Sequence, residues 1–454
     1  MEQTKGVALA NNKTFYRTVL GLVVPMALHN LINVAVQSGD VIMLGMVGEK
    51  VLSAASLAGQ VQYVMMLLFF GLSSGAMVLA SQYWGKGDVR TIEKILGIAL
   101  RLSFSAALVF FAAAMLVPGA LMRIFTTDAE IVEYGIVYLR LVAPGYLFTA
   151  FTNNYLNIIR SVEKVIFSTV VYFLSLGIDL ILNAIFIFGL FGFPALGIAG
   201  AAASTSVTRG IELVLVLVYA LRNPVLRLRA KDIFSREKQL TKDFFHYATP
   251  TIVNEFLWGL GMAANAVIIG RMGAAAVAAN SVAQVVRQLA TVVCFGMANA
   301  TAIMVGKAIG SGNEQLAKQY AARLIRLTVL TGLAGAAVIF SIRPLVINLM
   351  NFSAQANEYL TFLLVCMSVY VVAQAYNATM VVGIFRGGGD TRFGLFVDVS
   401  TMWGGSILWA ALAAFVFRLP VKWVLAIILL DEFLKIPLTT LRYKSRRWLR
   451  NVTR

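Results

Sequence analysis

Asp40 stands in NVAVQSGDVIMLG, residues 33 to 45, a carboxylate in the middle of a run otherwise suited to lipid. Two further carboxylates are embedded in the same way, Asp179 in SLGIDLILNAIFIFG and Glu255 in TPTIVNEFLWGLG. An ionisable side chain at the centre of a membrane helix costs roughly 2.5–3.5 kcal/mol on insertion scales, so one that persists belongs to a bundle interior and an ion or substrate pathway. Asp179 and Asn183 are four residues apart and share one face of a helix. Together with Asp40 they offer hard oxygen ligands for a sodium ion, or a buried carboxylate setting that holds a proton. Asn154 and Thr205, in neighbouring runs, can add oxygens, although such residues also make ordinary interhelical hydrogen bonds.

Other chemistries find no support. RGGGDTR at 386–392 lacks the following Lys-Ser or Lys-Thr of a P-loop and reads as a tight cytoplasmic turn. His29 and His246 are isolated, and there is no HExxH or GxSxG motif, so an enzyme is not expected. Cys294 and Cys366 lie within apolar runs and form neither a disulfide framework nor a metal cluster. No cofactor is implied beyond a coupling ion, Na+ or H+.

The elements that must position these residues are membrane helices. Of 454 residues 59% are hydrophobic and 13% charged, with mean hydropathy +0.80. That composition lies outside the range of soluble domains. Twelve apolar runs, centred near residues 30, 67, 105, 145, 178, 209, 257, 292, 331, 370, 404 and 430, are each long enough to cross a hydrocarbon core as a helix. The net charge of +17 falls in alternate gaps, including Lys86, Arg90 and Lys94, Arg160 and Lys164, and Arg386 and Arg392. This placement points to a membrane rather than to nucleic acid, and puts the basic gaps and both termini in the cytoplasm. The amino-terminal stretch MEQTKGVALANNKTFYRT has no cleavable signal pattern, so the first span is expected to be retained.

An internal repeat divides the chain. A shift of 225 residues superposes 24–88 on 249–313 without a gap, matching Pro25 to Pro250, Gly45 to Gly270, Gly48 to Gly273, Gly71 to Gly296, Gly85 to Gly310 and Gly87 to Gly312. Asp40 then falls on Asn265 and Asn30 on Glu255, so each half keeps one carboxylate and one amide with the roles exchanged. The expected class is an all-α integral membrane protein of 12 transmembrane helices in two pseudo-symmetric six-helix bundles. The expected parts are an N-terminal lobe at 1–221, a basic cytoplasmic linker at 222–245, a C-terminal lobe at 246–441 and a basic tail at 442–454. Pro25 and Pro250 each remove a backbone hydrogen bond inside a span and are candidate hinges.

Several segments resemble those of the multidrug and toxic compound extrusion (MATE) transporters of bacteria. They are VPMALHNLINVAVQSGDVIMLGMVG, SQYWGKGD, LNAIFIFGLFGFPALGIAGAA, TPTIVNEFLWGLG with IIGRMG, and FRGGGDTRF, and the likeness covers nearly the whole chain. The resemblance implies two six-helix lobes in a V shape, in the cytoplasmic membrane. It implies export of bulky, often cationic organic compounds in exchange for inward sodium or protons. Asp40 matches the family's coupling acid in the N-terminal lobe, with Asp179, Asn183, Asn154 and Thr205 around it. Glu255 matches the seventh-span glutamate of NorM-like members and, with Asn30 and Asn265, is placed in coupling or substrate binding. The chain departs from NorM-like members in the tenth span, VVAQAYNATMVVG, which has no acid, and from DinF-like members in the order of Asp179 and Asn183. Expected partners are small organic substrates and membrane lipids, with a monomeric chain. The rival readings are a lipid-linked oligosaccharide flippase, disfavoured by spans poor in arginine, and an exporter of one metabolite.

Overall fold

The computed structural model describes residues 12–233, 237–350 and 352–453, so the amino-terminal reading of residues 1–11, and Arg236 of the linker, lie outside the described residues. The described chain is helical throughout and contains no strand. In chain order the helices are α1 (Asn12–Val47), α2 (Glu49–Lys86), α3 (Val89–Leu116), α4 (Pro118–Phe125), α5 (Ala129–Ser161), α6 (Val165–Phe188), α7 (Ile198–Arg222) and α8 (Ala230–Ile233). They continue with α9 (Lys238–Arg271), α10 (Ala274–Gly310), α11 (Glu314–Leu349), α12 (Ala354–Phe385), α13 (Thr391–Val416), α14 (Val421–Ile428) and α15 (Asp431–Lys444).

Among the described residues 11 helices are long and apolar enough to cross a membrane. The twelfth expected span is in two pieces, α14 and α15, separated by Leu429 and Leu430. Asp431, Glu432 and Lys435 follow that two-residue turn directly and interrupt the apolar run.

Two compact units form. One comprises Leu28–Ala80 and Asp88–Ile252; the other comprises the chain up to Ala27, Ser81–Gly87 and Val253–Arg454. The boundaries after Ala27 and after Ile252 are 225 residues apart, the offset of the internal repeat, and each lies two residues beyond a matched proline. Both α1 and α9 run through their prolines without ending.

The repeated glycines have a packing reason. A Cβ on Gly71 would fall 2.5 Å from Ile252 Cα in the first unit, and one on Gly296 would fall 3.1 Å from Ala27 N in the second. Gly85 lies against the carbonyl of Lys307 and Gly310 against that of Gln82, again related by the same offset. Helix crossings this close need residues without side chains.

The linker is docked rather than free. Arg90 forks Asp232 at 2.6 and 2.7 Å and reaches Glu93 at 2.7 Å, the Arg227 N–H donates to Glu93 at 2.9 Å, and Lys94 pairs with Glu237 at 2.7 Å. Its last residues, from Lys238, already belong to α9. The carboxyl-terminal tail is docked too. Trp448 is 1% exposed, and Asp390 binds Arg442 at 2.7 Å and Arg450 at 3.1 Å.

Candidate functional site

In the first unit α1 carries Asp40 and α6 carries Asp179 and Asn183, one helical turn apart. The Asn183 side-chain nitrogen donates to Asp40 Oδ1 at 2.7 Å and to Asp179 Oδ2 at 3.2 Å. One amide therefore ties the two carboxylates together across two helices. Asp179 is 5% exposed and Asn183 is fully buried. The Asn183 Oδ1 atom is buried with no hydrogen-bond partner. An unfilled amide oxygen beside two carboxylates is an arrangement of hard acceptors that fits a small cation or a proton.

From α7, Ser204 donates to the Asp179 carbonyl at 3.3 Å and holds α6 in register. Arg209, also on α7, acts electrostatically on both Asp40 and Asp179, while its guanidinium donates to Glu212 at 2.6 Å. Tyr138 on α5 is within electrostatic reach of both carboxylates.

The structure brings together Asp40, Asp179 and Asn183 and leaves two other expected members turned onto their own helices. Asn154 donates to the Ala150 carbonyl at 2.7 Å and Thr205 to the Ala201 carbonyl at 3.0 Å. Asn30 is half-buried on α1, and Asn265 on α9 has a buried, unpartnered Oδ1.

In the second unit Glu255 is held by Arg386 at 2.9 Å, with the side chains 16% and 6% exposed. The adjacent Asn254 donates to Asp398 on α13 at 2.9 Å. The tight turn expected in RGGGDTR falls at Gly388 and Gly389; Arg386, just before it, is helical, buried and an ion-pair partner. The reading of spans poor in arginine is corrected by the same fact, and by Arg209 and Arg287, which project from α7 and α10.

Sequence reasoning also counted only three embedded carboxylates. The structure adds Glu212 on α7, Asp398 on α13, and Asp431 and Glu432 on α15, the last three around Lys435. The spacing of acid, acid and lysine in LAIILLDEFLKIPL was the available signal, since three charges inside one apolar run have to be neutralised by each other or by neighbours.

Comparison with known proteins agrees with this fold. The MatE family model matches residues 25–185 and 250–412, two stretches that begin at the repeat-matched prolines and together cover well over half of the chain. The chain belongs to the MatE family, a family of multi-pass membrane transporters rather than enzymes. It is 21% identical over 444 residues to "Uncharacterized transporter YisQ" of Bacillus subtilis, covering 96% of each chain. It is 26% identical to "Probable multidrug resistance protein NorM" of Bradyrhizobium diazoefficiens, covering 90% of this chain and 86% of that one. Among solved structures, an outward-facing multidrug resistance MATE family transporter of the MOP superfamily superposes with a TM-score of 0.87 at 21% identity, covering 95% of this chain and 96% of that one. That likeness establishes the fold.

Proposed function

We propose that this chain is a secondary active exporter that exchanges bulky organic, often cationic, compounds for inward Na+ or H+ by alternating access. The observation that carries the reading is the buried bridge from Asn183 to Asp40 and Asp179, with its unfilled Asn183 Oδ1. A cation or proton arriving there offsets one of the two negative charges that otherwise face each other through one neutral amide. Losing that charge weakens the hydrogen bond from Asn183 to the carboxylate concerned, because bonds to charged groups are about twice as strong as neutral ones. The affected contact joins α1 to α6, so neutralisation weakens the attachment of the helix that carries Pro25. The membrane potential supplies about 2.3 kcal/mol per charge per 100 mV for this exchange.

Glu255 supports the second unit through its ion pair with Arg386, and Pro25 and Pro250 are the points at which α1 and α9 bend. The distribution of basic residues supports cytoplasmic termini, and the proposal takes the chain as a monomer in the bacterial cytoplasmic membrane.

The test is efflux of ethidium from proteoliposomes under separately imposed sodium and proton gradients, for the wild type and Asp40→Asn. Transport under one gradient, lost in the folded mutant, supports the antiporter and identifies its ion. Unchanged transport in the mutant would remove Asp40 from the mechanism. No wild-type transport under either gradient would favour the lipid or metabolite alternatives.

A further inference from the structure

The second unit contains a polar centre of different design, built on Lys435. Its ammonium lies 2.9 Å from Glu432, 3.1 Å from Asp398 and 3.8 Å from Asp431. Lys435 is 6% exposed, Glu432 7% and Asp431 9%. Three carboxylates therefore surround one ammonium, with the Asp398 side chain 18% exposed.

Charge counting shows an imbalance. The other nearby cation is Arg287, which lies over the Tyr370 ring at 5.9 Å and donates to Gln284 and Gln374 at 2.8 and 2.9 Å. Tyr370 in turn acts electrostatically on Lys435 and on both acids of α15. Even with Arg287 counted, the acids exceed the bases by one. An uncompensated buried charge costs several kcal/mol, and such a group is neutralised rather than left ionised.

The hydrogen-bonding count has the same sign. Glu432 accepts from Asn377 at 2.8 Å and Asp398 accepts from Asn254 at 2.9 Å. Asp431 Oδ1 and Asn254 Oδ1 are buried with no partner, and Asn254 is 6% exposed. The cluster has acceptors to spare and lacks a donor. A metal ion does not suit it, since no group of three or more such ligands among the described residues is arranged to hold one. The position at which the carboxylates converge is already taken by the Lys435 ammonium.

The backbone is irregular at the same place. The last span breaks at Leu429–Leu430, immediately before Asp431, and the Ile428 carbonyl is met by the Ser406 hydroxyl at 2.8 Å. The π-helical segments Thr379–Phe385 and Ser400–Ile407 begin two residues after Asn377 and two after Asp398. Interrupted spans and π segments both concentrate where membrane proteins bind and release ligands.

We propose that this lysine-centred cluster is a proton site, holding one exchangeable proton on its carboxylates, with Asp431 as the carrying residue. The proton comes from water on one side of the membrane and returns to water on the other, with no bond to substrate. Asp398 on α13, Glu432 and Lys435 on α15, Tyr370 on α12 and Arg287 on α10 are the charged and titratable groups that set its balance. The assignment stands without the Asp40 reading; only its consequence for transport, a proton moved per cycle in addition to the ion at Asp40, rests on that reading.

The experiment is pH-jump infrared difference spectroscopy of the full-length protein in detergent, following the carbonyl stretch of protonated carboxylic acids. It is made in an Asp40→Asn background, so that the band is read without any contribution from Asp40, whose own reading is tested separately by ethidium efflux. One titrating carboxylic-acid band is expected to remain in Asp40→Asn and to vanish when Asp431→Asn is added. Lys435→Met, which removes the ammonium, is expected to add a protonated carboxyl and so tests the same idea with the opposite sign if Asp431→Asn fails to fold. A spectrum unchanged by Asp431→Asn, or by Lys435→Met, overturns the proposal. So does binding of radioactive Na+ that is lost in Asp431→Asn while the band stays.

Discussion

Asn183 spans the gap between Asp40 and Asp179, donating to the first at 2.7 Å and to the second at 3.2 Å from a single amide nitrogen. The two carboxylates lie on different helices, so the amide is both a mechanical link and the donor that makes two neighbouring acids tolerable. Hydrogen bonds to charged groups contribute about 1.5–3 kcal/mol.

Asn183→Ala removes that link while leaving both acids in place. Ethidium efflux from proteoliposomes is expected to fall by on the order of 10- to 100-fold, the range that corresponds to that energy. Asn154→Ala and Thr205→Ala are the contrast, because both side chains donate to carbonyls of their own helices. Their efflux is expected to stay within about twofold of wild type, as for changes of ~0.5 kcal/mol. Equal losses in all three variants would mean that the site extends beyond the amide bridge.

The Glu255–Arg386 pair makes a prediction about stability. Glu255→Gln takes the carboxylate away from a buried guanidinium, which is expected to destabilise the protein by about 3–5 kcal/mol. Glu255→Gln with Arg386→Gln removes both charges and is expected to recover most of that loss. The unfolding temperature of purified protein reads both effects. Efflux by the double variant then separates the roles: normal transport makes the ion pair structural, whereas lost transport in a stable protein gives Glu255 a part in coupling.

Much of this was legible in the chain because lipid makes charge conspicuous. Asp40, Asp179 and Asn183 stood out as polar groups in apolar runs, and the four-residue spacing placed two of them on one face. The 225-residue repeat was legible because matched glycines and prolines are scarce enough to align. Two kinds of feature stayed hidden. Asn154 and Thr205 were weaker candidates than Asn183, and which way they turn stayed hidden, since sequence does not say whether a polar side chain reaches a neighbouring helix or the carbonyl four residues back. Arg386, Asp398 and the acids of α15 lie toward the ends of helices or beside a break, where a hydropathy window blends them into loops. Arg386 and Asp398 also have partners far away in sequence, as with Glu255 and Arg386, 131 residues apart.

Trp448 fixes the carboxyl-terminal segment to the second unit. It stacks on Tyr443 with centroids 5.8 Å apart and donates its indole N–H to the Tyr443 carbonyl at 3.1 Å. Gln82 adds bonds to Gly387 and Arg450 at 2.9 and 3.0 Å and accepts from Val452 at 2.8 Å. Trp448→Ala is expected to destabilise the protein by about 3–5 kcal/mol, the usual result of removing a buried large aromatic. The measurement is thermal unfolding followed by size-exclusion chromatography. A tail that contributed only positive charge would give no change.

The glycine pairs give the most direct test of the repeat. Gly85 lies on the Lys307 carbonyl and Gly310 on the Gln82 carbonyl, so a side chain at either position collides with backbone rather than with a movable side chain. Forcing extra carbons into a packed contact typically costs about 1–3 kcal/mol, and backbone has less room to give than side chains. Gly85→Leu and Gly310→Leu are therefore each expected to lower the unfolding temperature and the yield of folded protein by similar amounts, because the 225-residue offset relates both the glycines and the carbonyls they meet. Gly59 is the control on the same helix as Gly85, with nothing within 4 Å of an added Cβ. Gly59→Ala is expected to be neutral or stabilising by up to ~1 kcal/mol, the helical preference for alanine over glycine. A large loss in one glycine variant and none in the other would show that the two crossings, although matched in sequence, do not bear on the fold equally.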